Sequence, residues 1–211
     1  MTLIDFLIKE GWLKTPRIIE SFQKIKRIDF LPDNIKNLAE INEALPIGFG
    51  QTISQPLVVA FMLEKLEPKE GDKILDVGSG SGWTTALLSE IVGGPTGSGH
   101  PEKVFAIEVV PELMEFGKNN VAKYNFIEKG ITRFICADGS KGYKSEAPYD
   151  KILCSAAVQK IIPSAWKEQL KIRGRIVTPI GSSIWLLIKK SETEFEEIEY
   201  PGFAFVPLVT K

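Results

Sequence analysis

Histidine is almost missing from this chain: His100 is the only one in 211 residues. It sits in a run of glycine, proline and serine that reads as a solvated loop. No Ser/His/Asp or Cys/His arrangement is therefore available for nucleophilic catalysis. Cysteine is nearly as scarce, with Cys136 and Cys154 each in an apolar run that reads as a strand. Two buried free thiols are expected, and their spacing fits neither a disulfide framework nor a metal site. No apolar run approaches the roughly 18 residues of a membrane span. The segment Met1–Trp12 is interrupted by Asp5, Lys9 and Glu10, and it lacks the basic start, apolar stretch and small-residue cleavage site of a signal peptide. A cytoplasmic, monomeric chain is expected. Net charge is also nearly absent, with 26 basic against 27 acidic side chains. Nothing in that balance attracts nucleic acid or an anionic membrane.

What is present is ordinary for a globular domain: 44% apolar and 25% charged residues. The length suits a single domain, 1–211, with a core that needs no staples. Residues 1–56 read as a helical cap and a loop, and 57–211 as a sheet with its helices and final strands. Ile4, Leu7 and Ile8 share one helical face, which ends near Gly11. Thr15 and Pro16 suit an N-cap and first helical position, and Ile18, Ile19, Phe22 and Ile25 follow at helical spacing. Leu45–Gly50 reads as a turn-rich loop and Pro56–Leu66 as a helix.

From Gly71 strands alternate with helices. Strands are expected at Lys73–Val77, Val104–Ile107, Phe134–Cys136, Lys151–Ser155, Arg175–Pro179 and Ile184–Ile188. Helices are expected at Trp83–Val92, Pro111–Tyr124 and Pro163–Leu170, and Phe203–Leu208 closes the chain. The alternation predicts an α/β fold: a mostly parallel, doubly wound sheet with helices on both faces. The last strands follow one another without a helix, which predicts an antiparallel edge. Trp83, Trp166 and Trp185 read as packing residues, Trp12 as a contact between the N-terminal helices and the domain, and Glu192–Glu199 as a solvated hairpin face.

The segment Ile74-Leu75-Asp76-Val77-Gly78-Ser79-Gly80-Ser81-Gly82 carries a buried strand into a glycine turn and then a helix. Glycine there permits a tight turn and a close ligand approach. The Gly-Lys-Ser/Thr ending of a triphosphate loop is absent. A dinucleotide loop wants a third glycine at position 83, which is Trp83. The spacing Gly-x-Gly-x-Gly after an acidic residue resembles motif I of the class I methyltransferases, whose fold is Rossmann-like. Glu108 ends the next strand, where an acid takes ribose hydroxyls. It lies thirty positions after Gly78 instead of about 20, and residues 93–102 read as the surface insertion responsible. Ala137-Asp138-Gly139 follows the third strand, where Asp138 can accept from an adenine amino group. The three features share the carboxyl ends of consecutive strands.

A second motif precedes the glycine loop: Ile47-Gly48-Phe49-Gly50-Gln51-Thr52-Ile53-Ser54-Gln55-Pro56. It resembles the Gly-x-Gly-Gln-Thr-Ile-Ser-x-Pro element of the protein-L-isoaspartate O-methyltransferases. Arg27-Ile28-Asp29-Phe30-Leu31-Pro32 is similar to that family's Arg-x-x-Phe-Val-Pro, and the likeness extends to Pro148-Tyr149-Asp150, Ser155-Ala156-Ala157, Leu170–Gly181 and Phe205-Val206-Pro207-Leu208. The resemblance implies S-adenosylmethionine as methyl donor and isoaspartyl peptides and proteins as acceptors, with repair through a succinimide. It implies that Ser54 is the active-site residue. The implied cofactor residues are Gln51, Thr52, Ile53, Ser54, Asp76, Gly78, Ser79, Gly80, Gly82, Glu108, Asp138 and Gly139. Ile53, Ala156 and Val206 would meet the substrate, the latter two through backbone groups, and no metal is implied. The chain departs from the family pattern at Val158-Gln159, at Arg173-Gly174, at Ile184-Trp185-Leu186 and in the insertion near His100.

The chemistry agrees with the scarcity of histidine. A carboxylate, with a pKa near 4, is already an anion at neutral pH. Its methylation needs positioning and partial removal of water, not a general base. Ser54 can orient such a group, or it can cap the helix entered at Pro56. Two other readings remain at this point: a methyltransferase for a small molecule or RNA, although no aromatic-basic stripe is present, and a cofactor-binding module without activity.

Overall fold

The computed structural model describes residues 1–93 and 103–210. The insertion around His100 lies outside the described residues. Two helices open the chain, α1 (Leu3–Lys9) and α2 (Pro16–Lys24). Thr2 and Asp5 close a reciprocal capping box at the start of α1. Thr15 precedes α2, but its hydroxyl does not cap it. Instead the Thr15 hydroxyl donates to Glu64 Oε2 at 2.7 Å, and the amides of Lys14 and Thr15 donate to Glu64 Oε1. The hydroxyl that was expected to accept from the first turn of α2 is thus turned toward a distant helix, where it donates to a carboxylate.

The first departure from the sequence pattern comes next. Leu45–Gly48 and Gln51–Ile53 form two antiparallel strands, β1 and β2, where a loop was expected. Pro46 and the flanking glycines suggested a loop, but a two-stranded ribbon leaves outward positions where proline's missing N–H costs nothing. The tip, Gly48-Phe49-Gly50, has positive φ at all three residues. The helix α3 (Pro56–Leu66) follows.

The main sheet contains β3 (Ile74–Val77), β4 (Val104–Glu108), β5 (Thr132–Cys136), β6 (Tyr149–Cys154), β7 (Leu170–Ile180), β8 (Ser183–Lys189) and β9 (Phe195–Pro201). Their spatial order is β5-β4-β3-β6-β7-β8-β9. Pairing is parallel from β5 through β7 and antiparallel from β7 to β9, so the predicted antiparallel edge is present. The helices are α4 (Trp83–Gly93), α5 (Pro111–Ala122) and α6 (Ser164–Glu168). The segment Phe203–Leu208 forms no strand; Pro207 makes a single bridge to Ala157.

Period-2 alternation divides the sheet's side chains between two cores. Ile74, Leu153, Val177 and Ile184 join the buried faces of α2 to α5. Leu75, Val77, Ile107, Ile152 and Ile176 pack on the other side with Trp166. The two faces are covered unequally. On the second face the connection 137–148 contains only 3₁₀ turns, and the one helix, α6, has 5 residues. Trp166, fully buried, fills the space, and its indole N–H donates to Gly139 O at 2.8 Å. On the N-terminal side Trp12 meets Phe61 of α3 edge-on at 6.0 Å.

Candidate active site

Strand register gathers the functional segments. Val77 pairs with both Ile107 and Cys154, and Glu108 pairs with Cys136. Gly78–Gly82, Val109–Val110, Ala137–Gly139 and Ser155–Ala156 therefore leave the same edge of the sheet. Strand order reverses around β3, and such a switch point opens a crevice beyond the carboxyl ends.

Gly78, Gly80 and Gly82 all have positive φ. Gly82 is glycine for space as well: a Cβ there would lie 2.7 Å from Gly117 O and 2.9 Å from Val121 Cγ2. Gly117, inside α5, is the reciprocal case, since its Cβ would lie 2.6 Å from Gly80 O. The helix thus packs directly against the loop's backbone. Glu108 fixes the loop from the other side. Its Oε2 accepts from Gly80 N at 3.0 Å, and its Oε1 accepts from the amides of Val109 and Val110. Acceptor capacity remains on both oxygens, since a carboxylate offers about four lone-pair positions.

A cleft of about 710 Å³, open to solvent, spreads over this edge. Of the residues proposed from sequence, Gln51, Thr52, Ile53 and Ser54 line it from β2 and the segment beyond. Gly78, Ser79, Gly80, Glu108 and Gly139 line it from the sheet, and Ala156 and Val206 line its far wall. Asp76, Gly82 and Asp138 do not line it. Asp76 is fully buried beneath the loop, where its Oδ2 accepts from the Thr85 hydroxyl at 2.6 Å. Burial pushes its pKa up to about 7, against the lowering effect of the Thr85 bond, and Glu108 adds to the rise. Asp138 is the N-cap of the 3₁₀ turn after β5: its Oδ1 accepts from Ser140 N at 3.0 Å and from Ser140 Oγ at 2.7 Å. Among the described residues no cluster of metal-ligating side chains occurs, and no helix is long and apolar enough to cross a membrane.

A second groove, of about 1070 Å³, adjoins the first. Its walls include Ala44, Val58, Phe203 and Phe205, and no charged side chain lines it. The two share four residues: Thr52, Ser54, Ser155 and Val206. The hydroxyls of Thr52, Ser54 and Ser155 make no hydrogen bond with the described residues. Gln55, not Ser54, is the N-cap of α3; its own side chain does not cap the helix, and Asn42 Oδ1 accepts from Leu57 N at 3.0 Å instead. Ile53 and Ala156 line the first cleft only. The Val206 carbonyl is already taken by the Ala157 amide at 2.8 Å, whereas the amides of Ala204, Phe205 and Val206 carry no bond among the described residues.

Sequence reasoning missed three contributors. Trp83 was read as packing and also lines the first cleft. Ser155 was quoted only as part of a motif. Arg27 was likewise only a motif letter, and the folded chain buries it behind Ser54. Helical or strand periodicity carries no signal for any of them, because each acts across elements.

Fold and site together define a Rossmann-like methyltransferase architecture. A Plasmodium falciparum structure assigned to the protein-L-isoaspartate O-methyltransferases, crystallised with S-adenosyl-L-homocysteine, has the same fold. It has a TM-score of 0.86 over 99% of this chain and 97% of that one, at 21% identity. The family model described as protein-L-isoaspartate(D-aspartate) O-methyltransferase matches residues 1–211. Protein-L-isoaspartate O-methyltransferase of Methanopyrus kandleri is 38% identical over 211 residues, 98% of this chain and 89% of its own. Protein-L-isoaspartate O-methyltransferase 2 of Archaeoglobus fulgidus is 43% identical over 195 residues, 91% of this chain and 84% of its own. The chain belongs to the protein-L-isoaspartate(D-aspartate) O-methyltransferase family. It is an enzyme, as the resemblance of the Gln51-Thr52-Ile53-Ser54 segment implied.

Proposed function

We propose that methyl transfer takes place where the two clefts meet, between S-adenosylmethionine in the first and the α-carboxylate of an L-isoaspartyl residue in the second. The observation that carries this is the junction itself: three uncommitted hydroxyls, on Thr52, Ser54 and Ser155, with no charged side chain in the groove they face. Hydroxyl donors strengthen considerably when the acceptor is an anion. They hold a carboxylate without protonating it, which keeps it a nucleophile.

The first cleft suits the cofactor on its own geometry. Ser79 is buried, and its Oγ has no partner among the described residues, so it offers a free donor and acceptor at the wall. Glu108 keeps acceptor capacity toward a diol, and Gly78 and Gly80 keep the backbone approachable. S-adenosylmethionine, when bound, supplies an electrophilic methyl on a sulfonium. The chain's task is alignment: Ser54 and its neighbours orient the carboxylate, and the apolar walls at Val58, Phe203 and Phe205 strip water from it. The free amides of Ala204, Phe205 and Val206 are suited to pairing with a peptide in extended form. Methylation is the first step of repair: in the product ester the following backbone amide nitrogen would then attack the ester carbonyl and expel methanol, closing a succinimide.

The reading extends to a cytoplasmic setting, supported by two free thiols that suit a reducing compartment, and to a monomer, supported by a site built within one chain. The test is transfer from radiolabelled S-adenosylmethionine to two matched peptides, one isoaspartyl and one with normal aspartate. Base-labile label on the isoaspartyl peptide alone is expected. Label on both peptides, or on neither with cofactor binding intact, would overturn the assignment.

A further inference from the structure

Arg27 is a buried cation without an acid. It is 6% exposed, and no carboxylate among the described residues pairs with it. Its guanidinium donates instead to four main-chain carbonyls: Ala39 at 3.2 Å, Ile41 at 3.0 Å, Glu43 at 2.7 Å and Ser54 at 3.3 Å. The fifth donor, Nε, has no partner. The guanidinium also lies over Trp83, 5.4 Å from the ring centroid. Burying an ion costs several kcal/mol even after relaxation. Burial pushes the pKa of Arg27 down to about 10, which leaves it charged at neutral pH.

The four carbonyls are not a random set. Three lie in the stretch leading into β1, and the fourth belongs to Ser54, at the junction of the two clefts. A planar fork converging on four C=O groups fixes their directions together. Fixing the Ser54 carbonyl fixes the peptide plane between Ser54 and Gln55; with Ile53 held in β2 on the other side, it narrows the directions open to the Ser54 Cα–Cβ bond. On its other face the same guanidinium rests on Trp83, a wall of the first cleft. One side chain therefore ties the segment that faces the acceptor to the helix that faces the cofactor.

We propose that Arg27 is a positioning residue for methyl transfer, acting through the carbonyl of Ser54 to hold its hydroxyl in line with the cofactor cleft. This rests on the reading of Ser54 as a donor to the acceptor carboxylate. Lysine cannot replace the fork: a single ammonium offers three donors from one point and cannot reach four carbonyls arranged around a plane.

The experiment places Arg27→Met and Arg27→Lys in both the unaltered chain and a Ser54→Ala background. It measures kcat with an isoaspartyl peptide and cofactor affinity by calorimetry. In the unaltered chain kcat is expected to fall about 100-fold, the scale of an ångström-level misplacement, with cofactor affinity changed less than about threefold. In the Ser54→Ala background the same substitutions are expected to cost less than about threefold, because the group they position is already gone. Equal fold losses in the two backgrounds, or cofactor affinity falling in parallel with kcat, would overturn the proposal and make Arg27 a packing residue. Ser54→Ala with undiminished kcat would overturn the reading of Ser54 and this proposal with it, which separates the two failures. If Arg27→Met does not fold, the cycle is read from Arg27→Lys, which keeps a buried cation.

Discussion

Gly117 and Gly80 meet backbone to backbone, so close that a single added carbon on Gly117 would lie 2.6 Å from the Gly80 carbonyl oxygen. That contact sets the distance between a helix and the loop that lines the first cleft.

Gly117→Ala tests it. Alanine in a helix interior ordinarily gains up to about 1 kcal/mol over glycine. Overpacking against rigid backbone costs about 1–3 kcal/mol, so the clash is expected to win. Denaturant unfolding should show a net loss of roughly 1–2 kcal/mol, and calorimetry should show weakened cofactor binding. A stabilised variant with unchanged binding would mean that the loop is free to retreat.

Asp76 makes stability depend on pH. Its pKa is raised on folding from 3.8 to about 7, so between those values the native state holds a proton that the unfolded chain has lost. Stability from this group is full below pH 4 and declines as pH rises toward 7, at up to about 1.4 kcal/mol per pH unit. Asp76→Asn, which can still accept from Thr85, is expected to flatten that decline. Urea midpoints at pH 5 and pH 7.5 should lie closer together in the variant; an unchanged difference would refute the assignment.

Ser54→Ala and Ser155→Ala each remove one of the junction's uncommitted hydroxyls. Each is expected to lower kcat by up to about 100-fold, the scale of an ångström-level misalignment of the reacting carboxylate, while cofactor affinity stays the same. Parallel loss of turnover and cofactor affinity would mean that the hydroxyls serve the first cleft alone.

The uncharged groove predicts indifference to salt. With no ionic side chain lining it, KM for a neutral-flanked isoaspartyl peptide should change less than about twofold between 50 and 300 mM salt, because no exposed ion pair is screened. Flanking leucine or phenylalanine should bind more tightly than lysine or glutamate. A steep salt dependence would point to a charged contact outside the groove.

The thiols should differ in reactivity. Cys154 is buried as expected, but Cys136, expected to be buried, lies exposed at the end of the sheet's edge strand, and burial pushes the Cys154 thiol up to about 12. Alkylation of the native enzyme at pH 8 is expected to label Cys136 alone, and peptide mapping decides it.

Much of this molecule is written locally. A buried strand, three glycines and a helix are contiguous from Ile74 to Val92, so the cofactor edge and its acid at Glu108 follow from order along the chain. The parallel core and antiparallel edge follow from which strands have helices between them. Other features depend on distant partners. Thr15 carries the signature of a cap, yet its hydroxyl donates to Glu64, forty-nine residues away, and leaves the helix uncapped by that side chain. The Leu45–Ile53 hairpin hid behind proline and glycine, which mark turns and ribbon edges alike. The second face carries one short helix, whose Trp166 is fully buried, and volume is not legible from periodicity. Asp138 sits where an adenine acceptor was expected, and its carboxylate is engaged in capping its own turn. Arg27 shows most plainly what a motif letter conceals: its partners are carbonyls, which every residue possesses and no sequence announces.

The groove beside Ala204, Phe205 and Val206 has a further consequence for the proteins this enzyme serves. If those amides pair with the substrate as proposed, the segment they meet must be strand-like, with its own carbonyls unpaired. A damaged residue inside a client's helix or sheet must first leave it, and the client bears that local opening free energy. Each kcal/mol of opening lowers the available fraction about fivefold. Repair is thereby graded by the client's mechanics: frayed ends and loose loops are served first, and damage locked in a rigid core waits until the core itself gives way.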